Sequence, residues 1–193
     1  MSRVTIIVVV VLVLLGFYGC SSYNGLVQKD TQVENAWANV QTQYQRRADL
    51  IPNLVRTVQG AAKFEQSTLT AVIQARANAT GIKLSADQLT PENIQKFQAA
   101  QDQLGGSLSR LLAVAESYPQ LKATQNFSEL QAQLEGTENR ITVARNDFNG
   151  VATGYNQSVR SFPNNIFAGI FGFQRKGLFE ASQAAQSAPT VQF

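Results

Sequence analysis

Residues 127–162 read FSELQAQLEGTENRITVARNDFNGVATGYNQSVRSF. Phe127, Leu134, Ile141, Phe148, Tyr155 and Phe162 recur at every seventh position, and Leu130, Thr137, Ala144, Val151 and Ser158 form a second row offset by three. Two such rows are the a and d positions of a helix that buries one seam, sustained over about five heptads. Large side chains dominate one row and small ones the other, which suits close antiparallel packing. The stretch predicts a helix from about Phe127 to Phe162, stopped by Pro163.

Upstream, the same spacing runs through Ile94, Phe97, Gln101, Leu104, Leu108, Leu111, Ala115 and Tyr118. Thr90 as N-cap, Pro91 at the first helical position and Glu92 in the first turn mark its start, and Pro119 its end. Gly105-Gly106 inside this helix reads as a close crossing or local bend, because no Lys-Ser/Thr follows to make a phosphate loop. Further upstream, Val33, Trp37, Val40, Tyr44, Ile51, Leu54, Val58, Ala61, Thr68, Val72 and Ala75 share one heptad phase, with Arg47 and Glu65 as polar entries. The phase carries across Pro52 and predicts one long kinked helix from about Leu26 to Ala79. The competing reading is a break, with Asp49 capping a new helix. A continuous helix would run about 80 Å, against about 40 and 50 Å for the other two. Its excess length calls for a second copy of the chain or for the C-terminal segment as cover. Arg46, Arg47 and Asp49 beside Pro52 read as a surface cluster with weak local pairing, or else as a charged joint that orients the helix.

The N-terminus is of another kind. Val4 to Gly19 carries no charge and, before Tyr18, Thr5 as its one polar side chain. One basic residue, Arg3, precedes it. This is the pattern of a membrane or export signal. As a transmembrane helix it is short of the ~20 residues a bilayer core needs, unless Cys20 to Val27 complete it with Tyr18 and Tyr23 at headgroup level. As a lipoprotein signal it would place the lipid on Cys20, after Gly19 and before Ser21-Ser22. The bulky Phe17 and Tyr18 favour the transmembrane reading. Arg3 and the amino terminus favour a cytoplasmic N-terminus and an extracytoplasmic domain, in a single pass of the cell membrane.

Composition narrows the function classes. The chain has 193 residues, 16 basic and 13 acidic, with net charge +3, no His and one Cys. Its basic residues are spread evenly, so no phosphate-tracking surface is expected, and nucleic acid is set aside as a partner. The absence of His removes most metal sites and the Ser-His-Asp arrangement. No phosphate loop, dinucleotide fingerprint, nucleophile elbow or CxxC occurs. Glu135 with Glu138 and Asp30 with Glu34 are one helical turn apart, as on ordinary solvated faces. No catalytic residue, cofactor, metal or small-molecule substrate is therefore expected.

After Pro163 the chain turns apolar and aromatic through Ile166, Phe167, Ile170, Phe171 and Phe173, then reaches Arg175-Lys176. This segment reads either as a cap over the bundle end or as an interfacial foot, with Phe167, Ile170, Phe171 and Phe173 touching membrane or a partner. The division is thus 1–23 membrane anchor, 24–162 helical bundle, 163–180 aromatic segment and 181–193 disordered tail.

The chain resembles the LemA family from the anchor to Glu180. The residues that carry this are Tyr23-Asn24-Gly25-Leu26-Val27, Ala36-Trp37, the run Tyr44-Gln45-Arg46-Arg47-Ala48-Asp49-Leu50-Ile51-Pro52-Asn53-Leu54-Val55, Ala62-Lys63-Phe64-Glu65 and Ala75-Arg76. Later come Glu116-Ser117-Tyr118-Pro119-Gln120-Leu121-Lys122-Ala123, Thr137-Glu138-Asn139-Arg140-Ile141, Arg145, Tyr155-Asn156, Phe162-Pro163 and Phe171-Gly172-Phe173. Phe64 departs from the family, which often has His there. The resemblance implies an N-terminal anchor, an up-and-down four-helix bundle and a relation to a magnetosome-membrane protein, and it supplies no active-site residues. Four helices require either that Pro52 separate two of them or that the aromatic segment supply the fourth. The resulting expectation is an all-α, non-enzymatic, self-associating scaffold of the bacterial envelope. The alternative is an envelope adaptor that presents its bundle to a membrane protease or another protein.

Overall fold

The computed structural model describes residues 2–60 and 65–180, and every regular element among them is helical. The elements are α1 (Arg3–Gln59), α2 (Gln66–Gly81), a short 3-10 turn at Ala86–Gln88, α3 (Pro91–Ala115), α4 (Pro119–Lys122), α5 (Gln125–Arg160) and α6 (Asn164–Phe171). The tail 181–193 lies outside the described residues.

The break in the first helical segment is not at Pro52. Helix α1 passes through Pro52 and ends at Gln59, with Gly60 as its C-cap. Proline lacks the N–H that would bond the carbonyl four residues back. Here that orphan is the Ala48 carbonyl, and Arg76 Nε donates to it at 2.8 Å. One side chain of α2 thus supplies the bond that Pro52 removes, and it fastens α2 to α1. The chain then breaks and reverses, so the expected single helix from Leu26 to Ala79 is two. Residues 26–59 of α1 span about 50 Å and α5 about 54 Å. With these lengths matched, the excess that called for a second copy disappears.

Helices α1 and α5 pair antiparallel along their length: Lys29 bonds Ser158 at one end and Arg47 bonds Glu138 toward the other. Two core clusters follow. The membrane-proximal one joins Leu26, Val33, Trp37 and Tyr44 of α1 to Phe97 of α3 and to Ile141, Phe148 and Tyr155 of α5. The distal one joins Ile51, Leu54 and Val58 to Leu69, Val72 and Ala75 of α2, Leu104 and Leu111 of α3, and Phe127 and Leu134 of α5. Thr90 caps α3 as expected, its hydroxyl accepting from the Asn93 N–H at 3.3 Å. The first heptad row of α5 is buried from Phe127 to Tyr155, but the second row shifts from Val151 and Ser158 to Ala152 and Val159. A straight helix drifts by ~20° per heptad against a strict seven-residue repeat, and the drift accumulates toward the C-terminus. Phe162, the last member of the first row, falls beyond α5 and is 80% exposed.

Between the two clusters sits Arg47, which is buried rather than on the surface. It bonds Glu138 at 2.9 Å and the Gln101 carbonyl at 3.1 Å, and its guanidinium lies 5.0 Å from the Tyr44 ring centre. Burying a guanidinium is costly unless its donors are matched; Gln101 and Glu138 supply acceptors to its two terminal nitrogens, while the buried Nε has none among the described residues.

After α6 the chain runs back as an extended strap along a trough between α3 and α5. Three side-chain amides clasp it, each donating to and accepting from the backbone of one residue: Asn156 with Lys176, Asn149 with Phe179, and Gln98 with Glu180. Phe179 enters the core against Trp37, Phe97 and Phe148. Lys176 pairs with Asp30 at 2.9 Å. Gly177 is required by space, because a Cβ would lie 2.8 Å from Pro91 Cα and from the Thr90 carbonyl oxygen.

Two outcomes are expected. Arg76→Met should destabilise the protein by about 1–3 kcal/mol in denaturant titrations, and by clearly less when Pro52 is first changed to Ala; equal losses would mean that Arg76 does not serve the proline gap. The second concerns pH. Burial, opposed in part by Arg145 and Arg47, pushes the Tyr44 phenol above its ordinary value of 10.0. Burial and then the Asp30 charge push Tyr155 up further. A raised folded value contributes stability that is complete below the unfolded value and is lost as pH rises through the folded one. Tyr44→Phe and Tyr155→Phe should each remove a late step from the tyrosinate absorbance titration and flatten the loss of stability at alkaline pH.

Candidate membrane interface

Arg3 to Tyr23 of α1 covers about 30 Å, the thickness of a bilayer's hydrocarbon core. Helix α1 is long and apolar enough to cross a membrane. The apolar segment alone is short, and the unbroken helix through Cys20 to Tyr23 supplies the missing turns. Val4, Ile7, Leu12, Leu14 and Phe17 stand exposed along it, without the cover that a core helix would have.

Where this span ends, α6 folds back onto it. The Phe167 ring lies against Gly19 so closely that a Cβ there would sit 3.0 Å from Cε1. Tyr18 and Phe167 approach to 5.7 Å between ring centres, Tyr23 and Phe171 to 4.9 Å, and Tyr23 and Phe173 to 5.8 Å. Ala168 turns into the core. Asn164, the first residue of α6, accepts hydrogen bonds from the Tyr18 hydroxyl at 3.2 Å and the Ser22 hydroxyl at 3.1 Å. The aromatic segment is therefore a collar around the end of the span.

Its residues divide between two faces. Phe167 and Phe173 are half-buried against α1, while Ile170 and Phe171 are exposed, Phe171 with its edge on Tyr23. Ile166 and Phe162 join Ile170 on the outer side. Sequence reasoning missed these two, having placed Phe162 in the core row. For Ile166 the signal was available, since 166 and 170 are four apart and share a face of α6; Phe162 lies in the turn before that helix. Cys20 is a free, exposed thiol on α1, directly after Tyr18 and Gly19, which both touch α6. Chemically the collar offers aromatic edges, hydroxyls and aliphatic surface, the mixture that settles at a membrane–water boundary.

The LemA family model matches residues 36–193. Magnetosome protein MamQ 2 of Paramagnetospirillum magneticum is 27% identical over 182 residues, covering 86% of this chain and 67% of its own length. Magnetosome protein MamQ of Magnetospirillum gryphiswaldense is 26% identical over the same extent. Protein LemA of Metamycoplasma hominis is 25% identical over 160 residues, 83% of this chain and 69% of its own. With the match running from the middle of α1 through the C-terminal segment, the chain belongs to the LemA family.

Proposed function

We propose that the chain is a non-enzymatic scaffold of the bacterial envelope, held by a single N-terminal span, that organises or shapes the membrane at its surface. The observation that carries this reading is the continuity of α1 from the span into both core clusters, with the collar fixed at the junction. A tether would leave the domain free to tumble. A shared helix fixes the domain's angle to the bilayer, and Phe162, Ile166 and Ile170 then point outward at headgroup level. Each aliphatic side chain taken up by the interface adds about 1.5–3 kcal/mol. The bundle is read as up-and-down and four-helical, with α1, α2, α3 and α5 as its members. The span is read as retained, because Tyr18 and Gly19 lie on the N-terminal side of Cys20 and cleavage before Cys20 would remove their contacts with α6. Arg3 favours a cytoplasmic N-terminus and an extracytoplasmic domain. The names of the MamQ relatives fit a role at a membrane.

A second reading, an adaptor for a protein partner, is favoured by the surface between α3 and α5. Beyond the strap a groove of about 530 Å³ is left there, lined by Gly105, Leu108, Leu112, Leu134 and Glu138. A second copy of the chain or another envelope protein would suit it.

Two measurements test these readings. In vesicles of brominated lipid, with Trp37→Phe as background, the indole of Ile170→Trp should be quenched and that of Ser109→Trp should not; equal quenching at both positions would remove the collar from the membrane. Sedimentation of detergent-extracted protein should give an oligomer that dissociates when Leu112→Glu is introduced. A monomer would leave the scaffold without self-association.

A further inference from the structure

Beside the collar, between the exit of α1 and the start of α6, lies a groove of about 250 Å³. Its polar lining is Tyr18, Ser21, Ser22, Lys29, Ser158 and Asn164. This lining is rich in unspent donors. Asn164 Oδ1 already accepts from Tyr18 and Ser22, which leaves the two N–H bonds of Nδ2 without a partner among the described residues. Lys29 gives one N–H to the Ser158 hydroxyl and keeps two. The Ser21 hydroxyl is also unpaired. No carboxylate lines the groove, because Asp30, next to Lys29 in sequence, turns away to Lys176. A concave site with several free donors, one cation and no anion calls for a ligand that only accepts and carries negative charge.

Height selects the source of that ligand. With Arg3 to Tyr23 filling the hydrocarbon core, Ser22 lies about 2 Å inside its edge and Lys29 about 9 Å beyond Tyr23, across a headgroup layer that is ~5–8 Å deep on each side. The groove therefore runs from the edge of the core, at Ser21, Ser22 and Asn164, into the layer where a phospholipid carries its phosphate, with Lys29 at its outer side. We propose that this groove binds the phosphate of an anionic phospholipid, whose acyl chains descend along the exposed side of α1. Lys29 provides the charge-assisted bond, and Asn164 Nδ2 and the Ser21 hydroxyl provide the neutral ones. The site rests on the transmembrane reading of α1. It goes beyond the apolar collar in specifying one bound lipid.

The test uses the full chain in detergent, titrated with phosphatidylglycerol and followed by native mass spectrometry. Phosphatidylglycerol should be retained, and diacylglycerol, which has the same tails and no phosphate, should not. Combining Lys29→Gln with Ser21→Ala should weaken retention about tenfold, as expected for loss of a charge-assisted bond. Arg160→Gln, the same charge change outside the groove, should leave it unaltered, as should Ile166→Ser with Ile170→Ser. Equal retention of the two lipids, unchanged retention in the Lys29 and Ser21 variant, or equal loss in Arg160→Gln would overturn the proposal. Displacement by millimolar inorganic phosphate would overturn its assignment to a lipid. Failure of the collar reading is seen separately, as loss of quenching in brominated vesicles.

Discussion

The structure depends on α1 staying whole across Pro52. A proline at that point removes one hydrogen bond and crowds the preceding turn, at about 3 kcal/mol or more in an isolated helix. Arg76 restores the missing donor at the Ala48 carbonyl. The repair comes from another helix, so it also docks α2 against α1. Loss of that bond would weaken both the rod and the hairpin that follows it. Because the candidate membrane span and both core clusters share this helix, the same bond helps transmit the orientation of the N-terminal segment to the distal core.

Polar groups divide the interior without interrupting it. Arg47 sits between an aromatic-rich cluster nearer the apolar N-terminal segment and a mainly aliphatic one farther along α1. Replacing such a network by apolar side chains is often neutral or stabilising, whereas removing one partner is costly. Its natural contribution is to register. Gln101 and Glu138 meet Arg47 only when α3 and α5 hold their observed positions along α1. The strap lies in the trough between α3 and α5 and leaves a groove of about 1220 Å³ open along it, while a second groove remains farther along the same two helices.

Much of this was legible in residues. Helix α3 was readable from its cap and its three-four spacing, and most of α5 from its heptads. The collar was readable as an aromatic, glycine-containing segment, though not which of its faces turned outward. Other features left no periodic trace. The heptad phase carried past both Pro52 and Gly60, so continuity at Pro52 was readable but the break after Gln59 was not, nor was the bond from Arg76 in the next helix that supports Pro52. Arg47 looked like a surface charge, since its acceptors lie 54 and 91 positions away in sequence. The strap is bound by side-chain amides to its backbone, so its own side chains carry little signal beyond Phe179 and Gly177. The slip of the second row in α5 is small per heptad and becomes visible only after several turns.

The strap also sets an order of assembly. Phe179 closes the aromatic core around Trp37, yet it is made after every helix it packs on, and the strap's clasp partners lie as many as 82 positions upstream. Chains are built from the N-terminus, so the span is available to enter the bilayer long before the residue that seals the domain exists. Until then Trp37, Phe97 and Phe148 share a cavity open to water. A ribosome stalled short of Phe179 would therefore leave an anchored but unsealed domain, with its aromatic interior presented to whatever quality control patrols that membrane.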